Sequence, residues 1–330
     1  MKKHLSRDEL LAFVAEKYFR DDLKQSEIAE MIGVTRSAVS RMLTDAREKG
    51  LVEIIIHHPL QYDHQLEKEL GDSFDLQQVS VVVIREQVEY PEVRRRLGIA
   101  AARVLAELIK PGCKIGIAWG TSVQATIESV DESRQRDTKV IQLIGVLGSS
   151  RHSYSAQTLV DKMAQKLGGE GTYLYAPFLV ENGKTAASLM EDPTVERAIA
   201  RGRDCDIALM GIGTTKPEFC SLYKGEHLSL GDLEAIQSAG AVGDVCALYF
   251  DKYGQLSPVD FHERRIGISL KGLQNIPTRL AVAGWFEKSE AILGAIRGGF
   301  VNSLVTDQQS ALRILELAKE NKTTTGRQSA

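Results

Sequence analysis

Cysteine is scarce in this 330-residue chain, and the four present (Cys113, Cys205, Cys220, Cys246) are scattered without C-x-x-C spacing. Neither a disulfide framework nor a zinc site is indicated, and a reducing, cytoplasmic compartment fits best. Long apolar runs are missing too. Stretches such as Val79 to Ile84, broken by Ser80, fall far short of the roughly 20 residues a membrane helix needs. The start Met1-Lys2-Lys3-His4 leads into an amphipathic, acid-rich segment rather than an apolar signal core. No charge of one sign dominates: 41 Lys and Arg stand against 44 Asp and Glu, so a nucleic acid would have to be met locally. No Walker loop or dinucleotide fingerprint occurs, so no nucleotide cofactor or other cofactor is indicated. What is there, 43% hydrophobic and 26% charged residues, suits a soluble globular protein, and the length suggests two domains or one large one.

The first 58 residues differ in texture from the rest. Ser6 and Glu9 have capping-box spacing, and Leu10, Leu11, Phe13, Val14, Tyr18 and Phe19 follow at helical intervals, which predicts a helix to about Arg20. Ser26 is expected to cap a shorter helix with Ile28, Ala29 and Ile32. Gly33-Val34 makes a turn, and Thr35 caps a third helix that Gly50 ends. Leu51 to Ile56 reads as a strand. On a wheel, the third helix puts Ala38, Val39, Met42, Leu43 and Ala46 on one arc and Arg36, Ser37, Ser40, Arg41, Thr44 and Arg47 on the other. Residues 31–50 carry four basic against two acidic residues, although residues 1–58 balance at ten of each. The basicity therefore sits on the helix suited to a major groove.

The run Gln25 to Arg41 resembles the helix-turn-helix of bacterial transcription factors, with Ala29 packing the two helices, Gly33 at the turn and Val39 as anchor. The expected DNA-contacting residues are Ser26, Thr35, Arg36, Ser37, Ser40 and Arg41. The following strand, with His57 and His58, is either a wing on the DNA backbone or an edge strand packed on the helices.

Beyond Pro59 the texture changes. Tyr62 to Leu70 is expected to be a connecting helix, and a long helix is lined by Val93, Leu97, Ala101, Val104 and Leu108. Strands are predicted at Val79 to Ile84, Lys114 to Ala118, Val140 to Leu143, Thr172 to Tyr175, Asp206 to Met210, Val245 to Phe250 and Arg279 to Ala283, with helices between most of them. The polar tail after Glu320 is expected to fray. This alternation predicts an α/β fold, a doubly wound and largely parallel sheet over residues 59–330 behind the helix-turn-helix domain of residues 1–58.

Three glycine turns fall where strands should end: Trp119-Gly120-Thr121-Ser122, Gly145 with Gly148-Ser149-Ser150, and Gly211-Ile212-Gly213-Thr214-Thr215. Each alone is what any parallel sheet needs; together they suggest a phosphate held by backbone N–H groups at strand ends. Asp244 could bind sugar hydroxyls or merely cap a strand. Lys288 could complete a phosphate site or be a solvated helix-start lysine. Arg297, before Gly298-Gly299, is a further candidate cation.

The order of elements, from the helix-turn-helix through Trp119-Gly120-Thr121, Gly211-Ile212-Gly213, Ala241-Val242-Gly243-Asp244 and Ala281-Val282-Ala283-Gly284 to Ala295-Ile296-Arg297-Gly298-Gly299 and Leu304-Val305-Thr306-Asp307, resembles the SorC family of sugar-responsive regulators. The resemblance implies an effector domain similar in fold to sugar-phosphate isomerases and deaminases that binds phosphorylated sugars. It matches Thr121 and Ser122 to a phosphate-binding turn, Lys288 to the phosphate-side lysine and Asp244 to an acidic sugar-binding position, with Ser155 and Gln157 as polar pocket residues. Some members carry Lys or Arg where this chain has Ile144, which argues against a Schiff base there and weakens the case for a second phosphate site.

The reading is a cytoplasmic, homo-oligomeric (dimeric or tetrameric) regulator, a repressor by family default, that binds operator DNA under control of a phosphorylated sugar or polyol. The alternative is a sugar-phosphate isomerase or deaminase carrying a DNA-binding module. It would need a general base and a second acid, whereas Asp244 is the only obvious acid and His152 and His227 read as solvated loop residues. An architectural DNA-packaging protein is disfavoured by the balanced charge.

Overall fold

Apolar residues alternate along the buried strands so that neighbours face opposite sides of one sheet, and this divides the core in two. Ile115 and Ile117, Ile207 and Leu209, and Leu280 and Val282 enter one apolar cluster. Ala118, Ala208 and Met210, and Ala281 and Ala283 enter the other. The computed structural model describes residues 6–52, 59–85, 88–132, 137–148 and 155–327. The chain divides into two compact units, Met1–Pro59 and Leu60–Ala330.

In the first unit the helices are α1 (Arg7–Phe19), α2 (Gln25–Ile32) and α3 (Arg36–Glu48). Ser6 and Glu9 form the expected capping box, Gly33 takes the left-handed conformation at φ 73°, and the Thr35 hydroxyl accepts from the Ala38 N–H at 3.2 Å. Ser26 is not a cap: the cap position is Lys24, two residues earlier, and Glu27 accepts from the Lys24 N–H at 2.7 Å. Leu11, Val14, Ile28, Ala29, Val39, Leu43 and Ala46 close the small core. Leu51 and Val52 are not in a strand; the remainder of the strand expected there, with His57 and His58, lies outside the described residues, as do Ser149, Ser150 and His152.

The strands of the second unit are β1 (Gln61–Tyr62), β2 (Gln78–Val83), β3 (Lys114–Ile117), β4 (Lys139–Gln142), β5 (Glu170–Thr172), β6 (Ile207–Gly211), β7 (Gly213–Thr214), β8 (Gly243–Val245), β9 (Leu248–Phe250), β10 (Thr278–Val282) and β11 (Ser303–Asp307). Eight form one sheet in the order β1-β2-β11-β10-β6-β3-β4-β5, parallel except for β1. From β3 the chain winds outward through β4 to β5, then returns to β6 on the other side of β3. The strand order therefore reverses between β3 and β6, and in such sheets ligands bind at the carboxyl ends beside that reversal.

Several boundaries differ from the sequence expectation. Tyr62 is in β1, and the connecting helix α4 is His64–Phe74 with Asp63 as its cap. The strand expected at Thr172 to Tyr175 lies earlier, at β5. The segment Val245 to Phe250 is not one strand but the tip of the hairpin β8–β9, because Cys246 and Ala247 take positive φ of 51° and 56° and reverse the chain. With β7 these strands make a separate antiparallel sheet. The last helix, Gln308–Arg327, continues through the polar residues after Glu320, since none of Asn321 to Thr325 breaks a helix as proline does. Among the described residues no helix is long and apolar enough to cross a membrane.

Helices α5 (Tyr90–Leu108) and α6 (Thr121–Ser129) pack closely because α5 offers Gly98: a Cβ there would lie 2.5 Å from the Ala125 carbonyl carbon of α6. Gly98→Ala should therefore force the helices apart and cost about 1–3 kcal/mol. The expected readout is a lower denaturant midpoint at unchanged slope.

Candidate DNA-reading surface and effector pocket

Helix α3 separates its faces as the wheel predicts. Val39, Leu43 and Ala46 are buried, while Arg36, Ser37, Ser40, Arg41, Thr44 and Arg47 are exposed. The acids nearby are neutralised from behind, Asp45 by Arg7 at 3.0 Å and Asp8 by Lys49. Among the described residues Arg36, Arg41 and Arg47 are in no ion pair, so their guanidinium groups are available to phosphates and base edges. The hydroxyls of Thr35 and Ser37 bond to each other at 3.0 Å at the start of this helix. Ser26 is exposed on the first turn of α2.

In the second unit, a cleft at the carboxyl ends of β3 and β6 is lined by Trp119, Gly120, Thr121, Ser122, Gly211, Ile212, Gly213, Thr214, Cys220, Ser221, Leu222, Asp244, Cys246 and Lys288. Seven of the ten effector-binding residues expected from sequence thus meet, Gly120, Thr121, Ser122, Gly213, Thr214, Asp244 and Lys288, together with Trp119, Gly211 and Ile212 of the same glycine turns. Ser155, Gln157 and Arg297 do not line it. Ser155 caps the helix Ala156–Leu167 by accepting from the Thr158 N–H at 3.3 Å, Gln157 sits in that helix's first turn, and Arg297 donates to the Lys252 carbonyl at 2.9 Å.

The turn at Gly120 has φ 134° and ψ 156°, which glycine alone adopts without strain, and α6 begins there without a side-chain cap. Its first N–H groups, which have no intrahelical partner in any helix, are thus without a side-chain acceptor, and Gly120, Thr121 and Ser122 line the cleft, a usual setting for an anion. The same cleft is lined by Lys288, which ends a short 3-10 turn, Phe286–Lys288, and is only 6% exposed. The solvated alternative for Lys288 is therefore overturned. Its ammonium donates to the Ile212 carbonyl at 3.2 Å and lies 5.5 Å from the Tyr90 ring centroid, and among the described residues no carboxylate is within ion-pair distance. Tyr90 in turn packs on Trp285 and Phe219, at 5.4 and 6.0 Å between rings. Trp285 has φ 92° and is held by its N–H donating to Asp307 at 2.6 Å.

Asp244 lies over Gly213, where a Cβ would come within 1.9 Å of the carboxylate, so only glycine fits beneath it. Its other oxygen accepts from the Ala247 N–H at 3.0 Å, across the reversed turn. Burial pushes this carboxyl up to about 6, against the pull of that hydrogen bond and of Lys288 and Arg265. Among the described residues lining the cleft, Asp244 is the one carboxylate and no histidine is present. His227 is not solvated as the sequence suggests; it packs edge-on against Phe178 at 6.2 Å. His262, which sequence reading passed over, accepts from the Tyr249 N–H at 2.8 Å and is pushed down to about 4 by burial. The pocket residues that sequence reading missed, Cys220, Ser221, Leu222 and Cys246, come from irregular segments and carry no motif.

Residues 58–316 match the Sugar-bind family of sugar-binding domains, and residues 5–60 match a Crp-like helix-turn-helix domain. The chain is 29% identical over 306 residues to the deoxyribonucleoside regulator of Bacillus subtilis, covering 92% of this chain and 96% of that protein. It is also 29% identical over 314 residues to the transcriptional regulator LsrR of Escherichia coli K12, covering 94% and 96%. The crystal structure of the full-length sorbitol operon regulator SorC from Klebsiella pneumoniae superposes with a TM-score of 0.70 at 25% identity, over 93% of this chain and 99% of that one. With a sugar-binding domain over most of its length, a helix-turn-helix before it and these relatives along nearly the whole chain, the protein belongs to the SorC family of transcriptional regulators.

Proposed function

We propose that the protein is a cytoplasmic, homo-oligomeric repressor of a carbohydrate-utilisation operon, released from or retained on its operator by a phosphorylated sugar or polyol. In this reading residues 1–58 bind DNA and residues 59–330 bind the effector and associate. One observation carries the effector's chemistry: Lys288 is buried, with no carboxylate partner among the described residues, in the cleft that the uncapped start of α6 also lines. A buried ammonium is costly unless an anion meets it. A phosphate accepting from Lys288 and from the N–H groups of Thr121 and Ser122 supplies that anion, with Gly120 and Gly213 allowing close approach and Thr214 adding polarity. Asp244 then accepts from sugar hydroxyls. The relatives named for a deoxyribonucleoside and for a sorbitol operon support a carbohydrate-like effector.

The cleft encloses about 50 Å³, room for a few waters, whereas ligand pockets usually hold about 300 Å³ or more. A sugar phosphate must therefore widen it, and the short helix Ser221–Lys224 with its flanks is the wall with least regular structure to hold it. That displacement gives the ligand a differential affinity for two conformations, which control of operator binding requires.

Lys288→Ala should leave operator affinity intact and weaken pentose, hexose or hexitol phosphates by roughly 10- to 100-fold, the worth of a charged hydrogen bond of about 1.5–3 kcal/mol. Asp244→Asn should weaken the sugar phosphates while leaving inorganic phosphate unchanged. Fluorescence anisotropy on operator DNA with and without each ligand measures both. A normal effector response in Lys288→Ala, or a screen yielding only unphosphorylated ligands, would refute the phosphate assignment.

Replacing Arg36 or Arg41 by Ala should cost about 1–3 kcal/mol of operator binding where the residue reads a base, with relaxed sequence preference; a phosphate contact would instead weaken all DNA alike. Unchanged affinity in the double variant excludes α3 as the reading helix. A single short helix-turn-helix contacts too little DNA for specific affinity, so the full chain should sediment as a dimer or tetramer at micromolar concentration; a monomer there contradicts this.

A further inference from the structure

A larger cavity, of about 330 Å³, opens at the carboxyl ends of the neighbouring parallel strands β2, β11 and β10. It falls within the size of small-molecule pockets, about 300–1,000 Å³, without the widening that the effector cleft needs. Ile84 and Arg85 enter it from the end of β2, and Trp285 enters from the turn after β10. Asp307, Gln308 and Gln309 enter from the end of β11 and the first turn of the last helix, while Val88 and Val93 close it at the start of α5. No residue lines both this cavity and the effector cleft.

One half of the lining is apolar. Ile84, Val88, Val93 and the Trp285 ring suit a flat hydrocarbon body, whereas the hydroxyls of a polyol would find no partners against them. The ring is a preformed wall, since Trp285 is held at φ 92° and packs on Tyr90 and Phe219, at 5.4 and 6.4 Å between rings. The other half offers donors. Arg85 is exposed and in no ion pair among the described residues. The Trp285 indole N–H is buried and meets no acceptor among them, although a buried tryptophan N–H ordinarily has one. Asp307 is the one carboxylate in the lining, and its oxygens already accept from the Trp285 N–H at 2.6 Å and from the N–H and hydroxyl of Ser310 at 2.9 and 2.8 Å. The unmet capacity around the cavity is therefore that of donors, which calls for acceptor atoms on the ligand.

We infer that this cavity is a second ligand site, separate from the effector cleft, for a small organic acid with a flat apolar body, its carboxylate at Arg85 and its body against Ile84, Val88, Val93 and the Trp285 ring. The charge count favours a carboxylate over a phosphate. Arg85 and Asp307 are the charged residues of the lining and cancel, so a single negative charge is met by the guanidinium, whereas a dianion would add a second one beside Asp307. The site stands independently of the phosphate reading of the Lys288 cleft.

The chain has two tryptophans, Trp119 in the effector cleft and Trp285 here, so fluorescence of full-length Trp119→Phe reports Trp285 alone. The probes are meta-iodobenzoate, meta-iodobenzamide and meta-iodobenzylamine, which share one body, differ in charge and carry an iodine that quenches a neighbouring indole. Iodobenzoate should quench saturably and bind about 3- to 10-fold more tightly than the amide, the worth of one charged contact at an exposed guanidinium, and the amine should bind no better than the amide. Arg85→Gln should bring iodobenzoate down to the level of the amide, and Val88→Phe, which fills the cavity, should weaken both by about 10-fold or more. Calorimetric titration of the wild-type protein should give the same ranking, whether or not the tryptophan variant folds. Absence of saturable iodobenzoate binding to the wild-type protein overturns the inference, and so does tightest binding by the amine. A preference for the acid that survives in folded Arg85→Gln, or affinity unchanged in folded Val88→Phe, puts the probe elsewhere and overturns it as well.

Discussion

Taking an ammonium out of water costs several kcal/mol, and a fold that does so keeps the group only where an anion or a set of acceptors meets it. Lys288 has one carbonyl and one aromatic face. Much around it is arranged to hold that position: Asp307 accepts from the Trp285 N–H and from Ser310, which fixes the turn leaving β10, and Trp285 and Phe219 brace Tyr90 beneath the ammonium. Gly284 is part of the same device, since a Cβ there would lie 2.3 Å from the Asp307 carboxylate. The charge is therefore placed by packing rather than by a salt bridge, and it stays available to a ligand.

Asp244 completes the balance with the opposite sign. Its carboxyl is raised to about 6 in the folded protein, above the ordinary carboxylate value. Proton uptake on folding therefore favours the native state at low pH, and this contribution fades as pH rises through about 6. At neutral pH the carboxylate is ionised and is sustained by the Ala247 N–H and by the fields of Lys288 and Arg265. A carboxylate so held keeps acceptor capacity for sugar hydroxyls, because only one of its oxygens is engaged by the backbone.

Much of this was legible in the sequence where a local pattern decides the outcome. The cap at Ser6, the turn at Gly33, the two-faced α3 and the Trp119-Gly120-Thr121 strand end all follow from spacing, and the alternation of Ile, Ala and Leu in β3, β6 and β10 announces a sheet covered on both sides. The misreadings have physical causes. Val245 to Phe250 has the composition of one strand, but Cys246 and Ala247 take a turn geometry that usually calls for Asn or Gly, so no turn residue marks the reversal. Tyr62 is pulled into β1 by pairing with Val82, a partner 20 residues on that no local window contains. Arg265 looks like any solvated charge beside Arg264 until the fold buries it. Ser155, Gln157 and Arg297 were placed by resemblance or by an adjacent glycine pair, and neither guide fixes a side chain's direction.

Backbone strain occurs at several places in the described residues, and one group of it lies at the cleft. Asp22, Asp75, Asp137 and Glu226 take positive φ elsewhere, Asp being a residue that tolerates it, whereas Cys246, Ala247 and Trp285 lack that tolerance, each a cost of about 1–3 kcal/mol that the surrounding structure must offset. Of these last three, two stand at the tip of the β8–β9 hairpin and the third at the turn leading to Lys288, and the part-buried Asp244 and the buried Lys288 line the same cleft. The eight-stranded sheet, by contrast, is built from ordinary alternating strands in regular parallel register. Strain at non-glycine residues beside a buried ammonium without a carboxylate partner among the described residues is what a functional cleft, rather than a purely structural one, accepts. For a sensor such a ligand-free state, poor in hydrogen bonds and counterions, leaves room for a ligand to improve it, and only a ligand that binds one conformation better than the other can move the equilibrium.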